Sequence, residues 1–205
     1  MTIILDGTNG INTPGLTDTA AASVATTLTV TGAATAASLQ VGGVATNLYP
    51  LVSGTAVAST SGTSIIFTGI PATAQRVTMS LNGVSTSGTS NYLVQIGTSA
   101  GITNTGYGGS SGRIAGGTAS AAASTAGLLF QAIVATSLYS GVVVFTHMGS
   151  NVWAGMGIVG DSAGTNAALY SATSKTLPGV LDRIAITTVN NTDTFDAGSI
   201  NILWE

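Results

Sequence analysis

The sequence predicts an all-β protein: a short N-terminal extended or β stem, then a C-terminal antiparallel β-sandwich of jelly-roll type. Three observations lead there. Leu28-x-Val30-x-Gly32 returns as Leu39-x-Val41-x-Gly43, each copy a period-2 strand running into a turn. From Ser64 onward, short alternating runs are separated by clusters of Gly, Asn, Ser and Thr, the spacing of a sandwich. No amphipathic helix of ten residues is evident. Ala115 to Ala126 comes nearest, and Gly116 and Gly117 weaken it.

Taken in order, Thr2 to Leu5 is a β-prone stub. Asp6-Gly7, Asn9-Gly10 and Pro14-Gly15 are turn dipeptides. Asp18 to Thr27 is rich in Ala, Ser and Thr. It reads either as one or two helical turns with Asp18 near the N-cap or as extended linker. The two echo strands flank Ala33 to Ser38, which has almost no side-chain bulk. A lone hairpin of this size is marginal in water, so Leu28, Val30, Leu39 and Val41 ask for partners. Copies from other chains are the simplest ones. Gly42-Gly43 closes the echo. Asn47 to Leu51 is a hinge, because Pro50 disfavours helix at Tyr49. Ser53 to Gly62 is small and polar, and the domain boundary is set near residue 50.

Beyond it the expected strands are 64–67, 76–81, 92–96, 128–135, 141–147, 152–159, 183–189 and 199–204. Val77, Met79 and Leu81 share one face; so do Ile184, Ile186 and Thr188, and Ile200, Ile202 and Trp204. Asn190 to Gly198 is expected to be an exposed hairpin loop joining the last two strands as a central pair. The C-terminus, ending Trp204-Glu205, is expected to be packed.

Composition narrows the function. Charged residues make up 5% of the 205 residues, against about 25% in ordinary domains. Four basic residues and a net charge of -3 leave no basic stripe for nucleic acid and little attraction for anionic membranes. The longest apolar run, Gly127 to Ala135, is interrupted by Gln131 and is far short of a membrane span of about 18 residues. A chain with so little charge would be poorly soluble as an exposed monomer, and a homo-oligomer resolves that. MTIILDG lacks a basic n-region and is not expected to be a signal peptide. With no cysteine there is no disulfide framework, thiol nucleophile or Cys-based metal site.

Candidate chemistry is sparse. His147 is the one histidine, at a strand end, and no G-x-S-x-G elbow is present. Asp193 and Asp196 share a loop. They suit glycosidic cleavage, or calcium with Asn190 and Asn191, but Asx residues are also ordinary turn formers. Arg183 is expected to brace that loop by pairing with Asp193 or Asp196, or to form a local salt bridge. The Gly-rich stretch Gly106 to Gly117 lacks the strand, helix and Lys of a phosphate cradle and reads as a surface loop. Tyr107 within it, and Tyr170, are the best candidates for exposed aromatics against sugar; Trp153 reads as core. No catalytic residue, metal or cofactor is expected.

The opening TIILDGTNGINTPGL and the run LTVTGAATAASLQVGG resemble the N-terminal stem of bacteriophage fibre proteins. The resemblance covers roughly the first fifty residues, while the rest resembles a fibre tip in composition and position. It implies an attachment peptide at 1–17, with Ile3, Ile4, Leu5, Ile11 and Leu16 holding another virion protein. It further implies a trimeric stem at 18–50 and a β-sandwich tip at 51–205. The implied role is a structural, non-enzymatic virion fibre, a tail fibre. This would be a homotrimer, made in the host cytoplasm and exposed on the particle. Its tip would contact host glycan or protein through Tyr107, Tyr170, Asp193 and Asp196. Neither nucleic-acid binding nor membrane insertion is expected. The alternatives are a head fibre or capsid decoration protein, and a small polysaccharide depolymerase.

Overall fold

The computed structural model describes residues 39–41, 44–46, 51–163 and 166–205. The chain divides into two compact units, Met1–Asn47 and Leu48–Glu205. In the first, β1 (Leu39–Val41) and β2 (Val44–Thr46) pair antiparallel, with Val41 opposite Val44. Leu39 and Val41, expected in the stem, lie on β1. Leu28, Val30, the segment 18–27, most of the Asn47–Leu51 hinge and the attachment residues Ile3, Ile4, Leu5, Ile11 and Leu16 lie outside the described residues.

The second unit opens with β3 (Val52–Ser53), β4 (Val57–Ala58), β5 (Ser64–Phe67), β6 (Arg76–Thr86), β7 (Tyr92–Thr98) and β8 (Gly101–Ile102). It continues with β9 (Gly108–Ala115), β10 (Thr118–Ser124), β11 (Leu128–Phe130), β12 (Tyr139–His147) and β13 (Val152–Asp161). It ends with β14 (Ala167–Thr176), β15 (Arg183–Thr188) and β16 (Phe195–Trp204), and no helix occurs among the described residues. A nine-stranded sheet runs β10-β9-β14-β13-β12-β6-β16-β3, with β4 also on β16. A five-stranded sheet runs β11-β7-β15-β5, with β8 on β7. All neighbours are antiparallel.

The pairing is nested. The first strands of the unit, β3 and β4, lie on the last, β16; β5 lies on β15, β6 on β12, and β7 on β11. An antiparallel ribbon wrapped in this way into two facing sheets has jelly-roll order. Two insertions, β9–β10 and β13–β14, carry the large sheet on beyond β12.

Alternation explains which side chains meet between the sheets. Val77, Met79 and Leu81 on β6 and Ile200 and Ile202 on β16 point inward from the large sheet. Val94 and Ile96 on β7 and Ile184 and Ile186 on β15 meet them from the small one, all in one buried cluster. Trp153, read as core, is in it. Burying each such side chain fully is worth about 1.5–3 kcal/mol. Aromatics need space. Gly157 on β13 supplies it, since a Cβ there would lie 2.7 Å from Phe130 Cζ and 2.9 Å from Val143 Cγ2.

Several expectations are corrected. The stretch 106–117 is not a loop: β9 runs through it, and Ala115 to Ala126 is largely strand β10. Gly116 and Gly117, at φ of 54° and 81°, form the two-residue turn that joins them. The strand expected at 128–135 ends at Phe130. The last two strands are not a hairpin pair, because β15 belongs to the small sheet and β16 to the large one. Asn190 to Thr194 therefore crosses between sheets.

β16 is held on both sides. Ile202 stands opposite Met79 and Trp204 opposite Val77, while Leu203 stands opposite Ser53. Glu205 accepts from the backbone N–H of Gln75 and pairs with Arg76 at 2.6 Å. Removing Ile202 to Glu205 is expected to cost several kcal/mol, comparable to a total stability of about 5–15 kcal/mol. Circular dichroism of the truncated chain should show no cooperative melt. A soluble chain with the full-length melting curve would contradict the assigned place of β16.

Candidate binding groove

The outer face of the small sheet carries a groove of about 350 Å³, within the usual range of ligand sites, about 300–1,000 Å³. Its floor is aliphatic: Ile66 of β5, Leu93 of β7 and Ala185 of β15, with Ile102 and Val189 beside them. Its polar groups are neutral: Thr63, Ser64, Gln95, Asn104, Thr187 and Asn191. Alternation puts Leu93, Gln95, Ala185 and Thr187 opposite the core-facing residues of the same strands. They are nonetheless buried.

Local bonds hold these walls. Thr187 Oγ1 donates to the Thr63 carbonyl at 2.8 Å and lies 3.3 Å from Asn191 Oδ1. Gln95 Nε2 donates to the Ala126 carbonyl at 2.8 Å. Asn191 sits at φ 55°, a left-handed conformation that Asn tolerates better than most residues. The Asn190 side-chain oxygen accepts from Thr188 Oγ1, Thr192 N and Asp193 N, an Asx turn that closes the loop on itself.

Tyr107 is corrected from exposed aromatic to core. It is 2% exposed. Its hydroxyl accepts from Ile96 N at 2.8 Å and donates to the Thr103 carbonyl at 2.9 Å. On that edge of β7, Val94 pairs with β11 and Gly97 with β8, so the Tyr107 hydroxyl satisfies the Ile96 N–H between them. Lys175 adds a second anchor. Its ammonium donates to the Thr105 carbonyl at 2.7 Å and stands 5.4 Å from the Tyr107 ring centre. Tyr107 and Lys175 thus fix the loop that presents Asn104 to the groove.

The other expected site residues are scattered. Tyr170 is half exposed, but on the outer face of the large sheet. Asp161 takes hydrogen bonds from Ser137 Oγ and from the backbone N–H groups of Leu138 and Ala163. Asp193 is half-buried. It accepts from Ser90 N at 2.9 Å and Asn190 Nδ2 at 2.6 Å, and its carboxylate occupies the space beside Gly88. Asp196 is exposed at the start of β16. Arg183 pairs with its neighbour Asp182 at 2.9 Å, the local salt bridge of the two partners expected for it. His147 stacks on Trp153 with ring centres 4.8 Å apart and meets Gln75 Oε1 at 3.3 Å. Among the described residues no three His, Cys, Asp or Glu side chains cluster as metal ligands.

Sequence reasoning missed most of the groove. Its residues come from β5, β7, β15 and two loops, and only the fold brings them together. The one local signal was Asn191 in the Asx-rich loop.

Two outcomes follow. Tyr107→Phe leaves the buried Ile96 N–H without its partner, at a cost of about 1–3 kcal/mol, read as a lower denaturation midpoint. Burial also raises the hydroxyl pKa of Tyr92, Tyr107 and Tyr139, whereas unfolded tyrosine ionises near about pH 10. Above that pH the unfolded chain has lost protons that the native state keeps, so stability falls as pH rises. The tyrosinate absorbance of these three residues should therefore appear together with alkaline unfolding. Full ionisation of a still-folded protein near pH 10 would contradict these burials.

No family model matches the chain, and no curated protein or solved structure matches it either.

Proposed function

We propose that the chain is a structural virion fibre protein whose β-sandwich tip binds a neutral glycan on the host surface. The observation that carries this reading is the groove. It offers exposed, uncharged hydrogen-bonding groups of both polarities, Ser64, Asn104 and Asn191, beside an aliphatic floor. A neutral sugar presents hydroxyls to such walls and C–H faces to such a floor. A phosphate or carboxylate ligand would find no cation among the groove's lining residues.

The N-terminal runs TIILDGTNGINTPGL and LTVTGAATAASLQVGG support the virion setting through their resemblance to fibre stems. In this reading residues 1–17 hold another virion protein, residues 18–50 join three chains, and the particle displays three copies of each groove. Weak single contacts then add through multivalency. The reading involves no catalytic step. It is supported by Asp193, whose carboxylate oxygens are both engaged in bracing a loop.

The test is titration of the full chain with neutral oligosaccharides, followed by saturation-transfer NMR. Asn104 is exposed and lines the groove. Asn104→Ala should weaken the bound glycan at least tenfold without changing the melting temperature. Binding that survives this substitution would place the glycan elsewhere. Release of reducing ends from a polysaccharide would favour the depolymerase.

A further inference from the structure

We propose that the outer face of the large sheet, from β12 across to β10, is the surface on which a second copy of this chain seats. The inference deepens the homotrimer reading above and rests on it. The face is apolar to an unusual degree. Val142 is 47% exposed, Met156 and Ile158 57%, and Ile114 and Tyr170 49%. They form a connected surface. Val142 stands opposite Ile158, Ile158 opposite Tyr170, and Met156 opposite Ala172. The Tyr170 ring lies over Gly112, where a Cβ would come within 2.2 Å of Cζ. A shallow hollow of about 560 Å³ opens between Met156, Ile158, Tyr170 and Ala121.

Charge and area argue for the chain itself as the occupant. The cations on these strands turn inward: Arg113 donates to the Ala132 carbonyl and Lys175 to the Thr105 carbonyl. The outward positions of β12, β13, β14, β9 and β10 carry no charge. A charged partner gains no grip there. Identical chains, each of net charge -3, meet on it without placing like charges opposite one another. Five strands about 4.8 Å apart and about eight residues long span roughly 600 Å². That approaches the area of about 800 Å² that each partner gives to a stable interface. The face ends at β10, TASAAAS, an edge strand with no Lys, Pro or other guard against strand addition. The opposite outer face, on the small sheet, is cut by the polar groove and offers no comparable surface.

The chain has no cysteine, so single thiols report cleanly. The experiment compares Ile158→Cys and Ala172→Cys with Ile66→Cys, which is 50% exposed on the small sheet's outer face. Each full-length variant is checked for the wild-type melt and for its mass by light scattering, then reacted with a maleimide. An oligomer in which the Ile158→Cys and Ala172→Cys thiols react at least tenfold more slowly than the Ile66→Cys thiol supports the proposal. An oligomer with equal rates at all three sites overturns this face while leaving the oligomer standing. A monomer overturns both, and the glycan titration, which needs no second copy, remains an independent measure of the groove.

Discussion

Everything in the Leu48–Glu205 unit depends on the capture of β16 between β6 and the β3–β4 segment. The end of the chain pairs with the start of the unit, across nearly the whole length of the fold. Every other pair in the nested ribbon lies inside that closure. The cost is the entropy of closing a very long loop, recovered only when Ile200 and Ile202 enter the core. Such non-local pairing implies slow folding relative to helical domains of similar size. It also explains why so short a terminal segment matters, since its removal opens the ribbon at its outermost turn.

The two insertions use a different chemistry from the ribbon. β14 alternates as regularly as any strand, yet its inward positions include Ser171, Thr173 and Lys175 beside Leu169. β9 turns Ser111 and Arg113 inward, where Gln131 Nε2 reaches the Ser111 carbonyl at 3.3 Å. Ser171 Oγ donates to the Ser110 carbonyl of β9, Ser111 Oγ to the Ala122 carbonyl of β10 and Arg113 Nη1 to the Ala132 carbonyl, while Arg113 Nε is buried without a partner. Lys175 links this layer to the groove, because the carbonyl it holds belongs to the loop bearing Asn104. The insertion β13–β14 thus supports a loop that lines the far sheet.

The outer faces of the two sheets have opposite characters. One is grooved, with neutral hydrogen-bonding side chains; the other is broad, apolar and uncharged. On the proposals made above, they divide the work of a surface fibre, one meeting the host and the other meeting a copy. The low charge of the whole chain serves both, since neither a neutral sugar nor an identical chain is attracted by charge.

What the sequence by itself determined was the all-β class and most of the strands that carry an apolar stripe. Where apolar residues alternate with small polar ones, as in Arg76–Leu81, a strand formed with the expected face inward, because burial of a period-2 stripe has no better local solution. β9, β10 and β14 were illegible, since stretches such as GGSSGRIA and TASAAAS have no apolar stripe to declare a face. Tertiary pairing alone recruits them. Tyr107 looked exposed in its run of glycines, and only the fold showed an unpaired Ile96 N–H for its hydroxyl to meet. The segment Asn190–Gly198 looked like a hairpin because its flanks are strands; which sheet each strand joins is decided by partners far away in sequence. The groove is of the same kind, assembled from residues distant in sequence, so its existence was a decision of the tertiary structure.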